Sequence, residues 1–194
     1  MEQIKNWLAT GSINIFGLPY SGKDTVGKRL AADLGAEFIS SGDLLRAAGE
    51  KTQESGQLSP TNVFYDVVLP AFGWPEFDGK PLVLSSIGRW DGEQQRVIAA
   101  TDAGGHPIKA VISLNISEDE VLRRWETSLA VGDRDDRSDA TAEKITTRLA
   151  EYREKTLPVI EYYRGMGLLI DVNGEQSRDA VYDEVIERLS KLAR

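Results

Sequence analysis

The stretch FGLPYSGKDT, Phe16 to Thr25, places Gly17 and Gly22 five residues apart, puts a lysine directly after the second glycine and adds a hydroxyl two positions later. Glycines at that spacing let the backbone turn sharply and aim several amide N–H groups at one point. A helix opening near Gly22 adds the positive end of its dipole. Such a loop holds phosphate: Gly17, Pro19, Ser21, Gly22 and Asp24 form its wall, Lys23 reaches the outer phosphates, and Thr25 offers a hydroxyl to a magnesium ion. The usual pattern has Ser or Thr directly after the lysine, whereas here Asp24 intervenes. A glycine turn alone would need no lysine.

The loop requires a strand before it and a helix after it, and the sequence provides both. SINIFGL (12–18) is a short apolar run bounded by glycines, as a buried central strand would be, and similar runs recur at EFIS (37–40), LVLSS (82–86), AVISLNI (110–116) and LLIDVN (168–173). Between them lie helical patterns. Val26, Leu30 and Leu34 share a face with Gly35 as a stop, and Val181, Val185, Leu189 and Leu192 do the same near the end. Alternating strands and helices predict an α/β domain of three layers around a five-stranded parallel sheet. Two segments fit poorly and are read as insertions: Leu44 to Pro75, with small helices and turns, and the polar, charge-dense Leu129 to Thr141.

The totals narrow the field. A chain of 194 residues, 41% apolar, suits one domain with a real core, spanning 1–194. A formal charge of −8 without any Lys/Arg-rich run argues against a nucleic-acid partner. There is no cysteine for a disulfide or thiolate metal site, and the lone His106 sits in a GGHP turn. The opening MEQIKNWLATGS lacks the apolar centre of a signal peptide or membrane span, so the expectation is a cytoplasmic protein without a membrane partner. It is expected to be a monomer.

With three further stretches, the loop resembles the adenylate kinase branch of the nucleoside monophosphate kinases, in which the lysine is likewise followed by one residue and then threonine. The stretches are ISSGDLLRAAG (39–49), GRWDGEQQ (88–95), and the run from RRWETS to TTRLAEYREKTLPVIEYYRGMGLLIDVNG. Together they cover almost the whole chain. The resemblance implies the P-loop NTPase fold with a nucleoside-monophosphate-binding insert at 41–75 and a short lid at 129–141. It implies ATP as donor, Mg2+ as cofactor, and a nucleoside monophosphate as acceptor, AMP foremost. Ser41, Gly42, Arg46 and Arg89 would bind the acceptor's phosphate, with Leu58 and Ser59 around its base and Gln94 or Gln95 reading that base. Arg124 would lie against the donor base. Arg137 and Arg148, eleven apart, would close over the transferring group, with Arg134 competing with Arg137 for that role.

Such residues suit the reaction. Phosphoryl transfer between two polyanions needs charge neutralisation and in-line positioning, and arginine's planar fork binds phosphate oxygens in pairs while staying charged. Water is the competing acceptor, so the two insertions make sense as closing segments.

The chain also departs from the family's pattern. Ser85 ends the third strand where an aspartate usually orients the magnesium waters, leaving Asp43 through water, or else Asp24, to compensate. Tyr20 and Asp24 stand where glycine is usual. Ser86, Ile87 and Gly88 replace the usual residues before the arginine, and glutamine comes one or two places late. These departures keep two other readings open: a nucleotide-binding protein that has lost catalysis, and a P-loop kinase for UMP, CMP or another small metabolite. Pro158 is expected to kink or end the long helix after the lid.

Overall fold

The computed structural model describes residues 1–131 and 141–194. Its centre is a five-stranded sheet, all parallel, in the order β2-β3-β1-β4-β5: β1 (Ser12–Gly17), β2 (Glu37–Ser40), β3 (Leu82–Ser85), β4 (Ile108–Asn115) and β5 (Leu169–Asn173). β1 is buried along its whole length, including the polar Ser12 and Asn14, whose side chains donate to the His106 and Ile87 carbonyls.

Helices cover both faces. On one, α1 (Glu2–Leu8), α2 (Lys23–Leu34) and α9 (Arg178–Leu192) bring Ile4, Leu8, Leu30, Val185 and Leu189 onto Ile13 and Ile15. Each such side chain, fully withdrawn from water, contributes about 1.5–3 kcal/mol. On the other, α5 (Glu93–Ala103) and the 41–75 segment pack Phe64, Phe72 and Val97 against Ile39, Leu82 and Leu84, and α8 (Leu157–Gly165) packs Val159, Ile160 and Tyr163 onto Phe16 and Val111. The 41–75 segment holds α3 (Ser41–Ala47), α4 (Thr61–Val67) and short 3-10 turns. α6 (Glu118–Val131) and α7 (Ala142–Glu151) meet through Val121, Ile145 and Leu149, with Trp125 packed against them.

The long helix expected after the lid is interrupted. α7 runs into one wide π-type turn, Tyr152–Thr156, which passes directly into α8 with Pro158 as its second residue, where the missing N–H forgoes a bond to the turn before it. His106 is a buried turn residue whose Nδ1 lies 3.1 Å from the Thr10 carbonyl.

Strand register brings the functional loops together. Ser85 is level with Ile15 on one side and Ser40 on the other, so β1, β2 and β3 all end on one edge. The loop after β1, helix α3 after β2 and the segment after β3 therefore open onto the same space. β1 is also where the strand order reverses, the place where open parallel sheets hold their ligands.

Candidate active site

The loop after β1 is shaped by its glycines. A Cβ on Gly17 would collide with Ser21 Oγ, so only glycine fits there, and Gly22 has φ +87° at the start of α2. Tyr20, with φ +62°, takes the left-handed conformation without being glycine, a strain that side chains rarely bear outside functional turns. The first-turn amides of α2 have no partners within the helix and are available to an anion. Ser21 is buried and its Oγ has no hydrogen-bond partner.

The segment after β3 is pinned from both sides. Asn14 on β1 donates from Nδ2 to the Ile87 carbonyl (2.8 Å) and accepts from its amide (3.2 Å). Ser41 at the start of α3 donates to the Ser86 carbonyl at 2.9 Å. Ser86 itself is left-handed, with φ +52°. The two main departures from the family's pattern meet here: Ser85, 2% exposed, donates its hydroxyl proton to Asp24 Oδ1 at 2.5 Å. The carboxylate missing from the end of β3 is thus supplied from the first turn of α2.

These elements enclose a cavity of about 340 Å³ whose walls include Gly17, Pro19, Lys23 and Asp24 from the phosphate loop. Ser41, Gly42, Arg46 and Leu58 enter from the insert, Arg89 from the segment after β3, and Arg148 from α7. Lys23 and three arginines from separate parts of the chain thus face one space. Thr156 donates to the Arg89 carbonyl at 3.3 Å. Tyr152, also in the wall, has its phenol pushed up to about 12 by burial, against a smaller opposing effect of the Ser113 hydroxyl.

Other expected site residues stand elsewhere. Thr25 is exposed and does not line the cavity; Asp24 occupies the position that faces β3. Asp43 is on the surface, paired with Arg46. Ser59 lines a second, smaller cavity. Arg124 lies behind the loop, donating to Glu120 (2.6 Å), the Tyr20 carbonyl (3.1 Å) and the Gly174 carbonyl (2.7 Å). Together with Arg123 it holds the Glu120 carboxyl down to about 2. Gln94 spends its amide on the local turn, accepting from Gly92 N (2.7 Å) and donating to Asp91 (3.2 Å), and Gln95 is exposed. Arg134 and Arg137, with most of the 129–141 segment, lie outside the described residues.

Two carboxylates went unnoticed in the sequence. Glu93, four residues after Arg89, is 2% exposed and accepts at Oε2 from the amides of Arg89 (2.8 Å) and Trp90 (3.0 Å). Burial pushes its carboxyl above the ordinary range, against the opposing pull of those amides and of the Thr61 side chain. The late glutamine was the signal, since it left position 93 as the place where that residue was due. Glu151, at the end of α7, accepts from Leu58 N (3.0 Å) and from Lys155 (2.6 Å). Gly56 is pressed against the same helix: a Cβ there would lie 2.8 Å from the Lys144 carbonyl. The insert is therefore seated on α7.

A five-stranded parallel sheet in this order, with a glycine loop and lysine after its central strand, defines a P-loop kinase fold. A gluconokinase from Sinorhizobium meliloti 1021 shares it, with a TM-score of 0.66 and 22% identity, covering 94% of this chain and 93% of that one. No family model matches the chain. Whole-length relatives do. The adenylate kinase of Azobacteroides pseudotrichonymphae is 31% identical over 202 residues, covering 94% of this chain and 99% of its own. That of Thermus thermophilus is 31% identical over 185 residues (90% and 94%), and that of Bacteroides fragilis 27% over 191 residues (93% and 99%). The chain belongs to the adenylate kinase family and is a phosphotransferase. No helix among the described residues is long and apolar enough to cross a membrane.

Proposed function

We propose that the chain transfers the γ-phosphoryl group of ATP to a nucleoside monophosphate. The observation that carries this reading is the convergence, on one cavity, of the glycine loop and Lys23 with Arg46, Arg89 and Arg148. In it the loop amides and Lys23 hold the donor's phosphates, while Arg46 and Arg89 gather the acceptor's phosphate beside them. Arg148, with an arginine from the 129–141 segment, neutralises the group in transit. The bond from the γ-phosphorus to the leaving diphosphate breaks as an acceptor oxygen forms the new one. Positioning and charge neutralisation are the protein's main contribution. The 41–75 insert and the 129–141 lid close over acceptor and donor, excluding water as a rival acceptor.

The donor set at Asp24 and Ser85, a carboxylate and a hydroxyl beside Lys23, fits Mg2+, which prefers oxygen ligands and retains several waters. When bound, the ion would supply charge neutralisation between the donor's phosphates. Asp24 and Ser85 would hold its waters, a role the surface position of Asp43 and the exposure of Thr25 suit less well.

The relatives' names make AMP the first acceptor to assay. A coupled assay with ATP, Mg2+ and each of AMP, GMP, CMP and UMP decides the matter. Turnover with at least one supports the reading; none with any of them refutes it.

A further inference from the structure

Beside the main cavity lies a second of about 20 Å³, sharing Ser41, Leu58, Ser86 and Arg89 with it. Its remaining wall is apolar and aromatic except for two polar side chains, Ser59 and Glu93. Both are buried, 6% and 2% exposed, and each has one oxygen without a partner at hydrogen-bond geometry, Ser59 Oγ and Glu93 Oε1, with the Thr61 side chain the other polar group that acts on the Glu93 carboxylate. Orphaned polar atoms in a folded interior are costly and rare, and two in one small cavity ask for a common explanation. Capping the turn explains only half of Glu93, because Oε2 alone receives the amides of Arg89 and Trp90.

A ligand whose phosphate rests on Arg89 would place its base toward this cavity. A base whose ring lay in the larger cavity beside Leu58, which lines both spaces, would turn one edge toward the smaller one, where Trp90, Ser59 and Glu93 stand. That edge meets an acceptor-only oxygen at Glu93 and a hydroxyl at Ser59. Guanine complements both, with adjacent N1–H and N2–H2 donors and an O6 acceptor. Adenine can pair as well, N6–H2 giving to the carboxylate and N1 accepting from the Ser59 hydroxyl, but it offers the carboxylate one donor group where guanine offers two adjacent ones.

We propose that Glu93, with Ser59, is the specificity-determining pair for the acceptor base, and that it selects guanine, making GMP the preferred acceptor. This rests on the nucleoside monophosphate kinase reading of the same site. It departs from the AMP preference that the relatives' names suggest, because the residue facing the base is a carboxylate.

The test compares kcat/KM for GMP, IMP and AMP, at about pH 8, well above the ordinary glutamate value, in the unaltered protein and in Glu93→Gln. In the unaltered protein GMP should exceed AMP, and also IMP, which lacks the N2 donor, by about tenfold or more. In Glu93→Gln the two backbone amides keep the side-chain carbonyl in the Oε2 place, so the NH2 falls where Oε1 stood and turns an acceptor into a donor. The GMP-to-AMP ratio should fall about tenfold or more, a change that loss of a turn cap alone would not produce. An unchanged ratio in a folded variant overturns the proposal, as does equal use of all three nucleotides, or preference for AMP, by the unaltered protein. Should Glu93→Gln not fold, the unaltered protein's ranking of the three nucleotides decides. Turnover with AMP but poor use of GMP defeats only the base assignment, whereas no turnover with any monophosphate defeats the kinase reading beneath it.

Discussion

Replacing Ser85 by aspartate restores the family's usual residue at the end of β3, and the structure says that alone it should do harm. Ser85 now gives its hydroxyl proton to Asp24 at 2.5 Å, from a site 2% exposed. A hydrogen bond to a charged group of this kind is worth about 1.5–3 kcal/mol. Ser85→Asp removes the donor and sets a second carboxylate against the first. At about 4 Å and an effective dielectric of about 20 the repulsion is about 4 kcal/mol. Partial protonation of the pair would soften it. At about 2–4 °C per kcal/mol for a chain of this size, the repulsion alone should lower the melting temperature by about 8–16 °C without metal. Mg2+ should recover part of the loss by sitting between two carboxylates. The exchange Asp24→Ser with Ser85→Asp rebuilds one carboxylate and one hydroxyl, so it should melt near the unaltered protein and regain Mg2+-dependent turnover that Asp24→Ser alone loses. Thermal unfolding with and without Mg2+, and turnover across a Mg2+ titration, measure all of this. A Ser85→Asp protein as stable as the original, or an exchanged pair no better than the worse single variant, would refute the coupling.

Lys23→Ala should lower kcat by about 100- to 1000-fold with little change in melting temperature, because the amine acts on charge in the transition state; a loss confined to the KM for ATP would contradict that. Arg89→Ala should reduce kcat/KM for the acceptor comparably, and normal acceptor kinetics would remove the acceptor phosphate from this cavity. Gly17→Ala forces a methyl into Ser21 Oγ, at a cost of about 1–3 kcal/mol, and calorimetry should show ATP binding lost. Glu93 predicts a pH effect. Its folded pKa is raised above the ordinary glutamate value of 4.5, so the folded state binds the proton more readily and stability falls as pH climbs from that value through the raised one. Glu93→Gln escapes this loss, so in urea titrations between about pH 4 and pH 8 the difference between the two proteins should shift in the variant's favour and then level off. A difference independent of pH would show that Glu93 is not destabilised by burial.

The sheet was legible because short runs rich in isoleucine, leucine, valine and phenylalanine recur between helical patterns. SINIFG and LVLS became β1 and β3, and EFIS became β2 with the expected bounds. The phosphate loop was legible because glycine, lysine and spacing act locally. Helix α1 was missed, although Ile4 and Leu8 lie one turn apart and both are fully buried, because only seven residues carry the pattern. The meeting of Ser85 with Asp24 joins positions 61 apart, which only the register of β3 against β1 brings together. Glu93 was overlooked for another reason. Its position four residues after Arg89 is kept while its chemistry changes from an amide to a carboxylate.

The seam where Leu58 and Gly56 rest on α7 bears on how products leave. Any outward swing of the insert has to unmake the Leu58–Glu151 hydrogen bond and lift Gly56 off the helix that also carries Arg148. In the proposed reaction, departure of the spent nucleotide from one side would then be geared to Arg148 on the other, which predicts that loosening this joint changes the release rate. As the chain contains no cysteine, a single thiol introduced on each side of that joint would carry a dye pair without background, and the gearing could be timed directly.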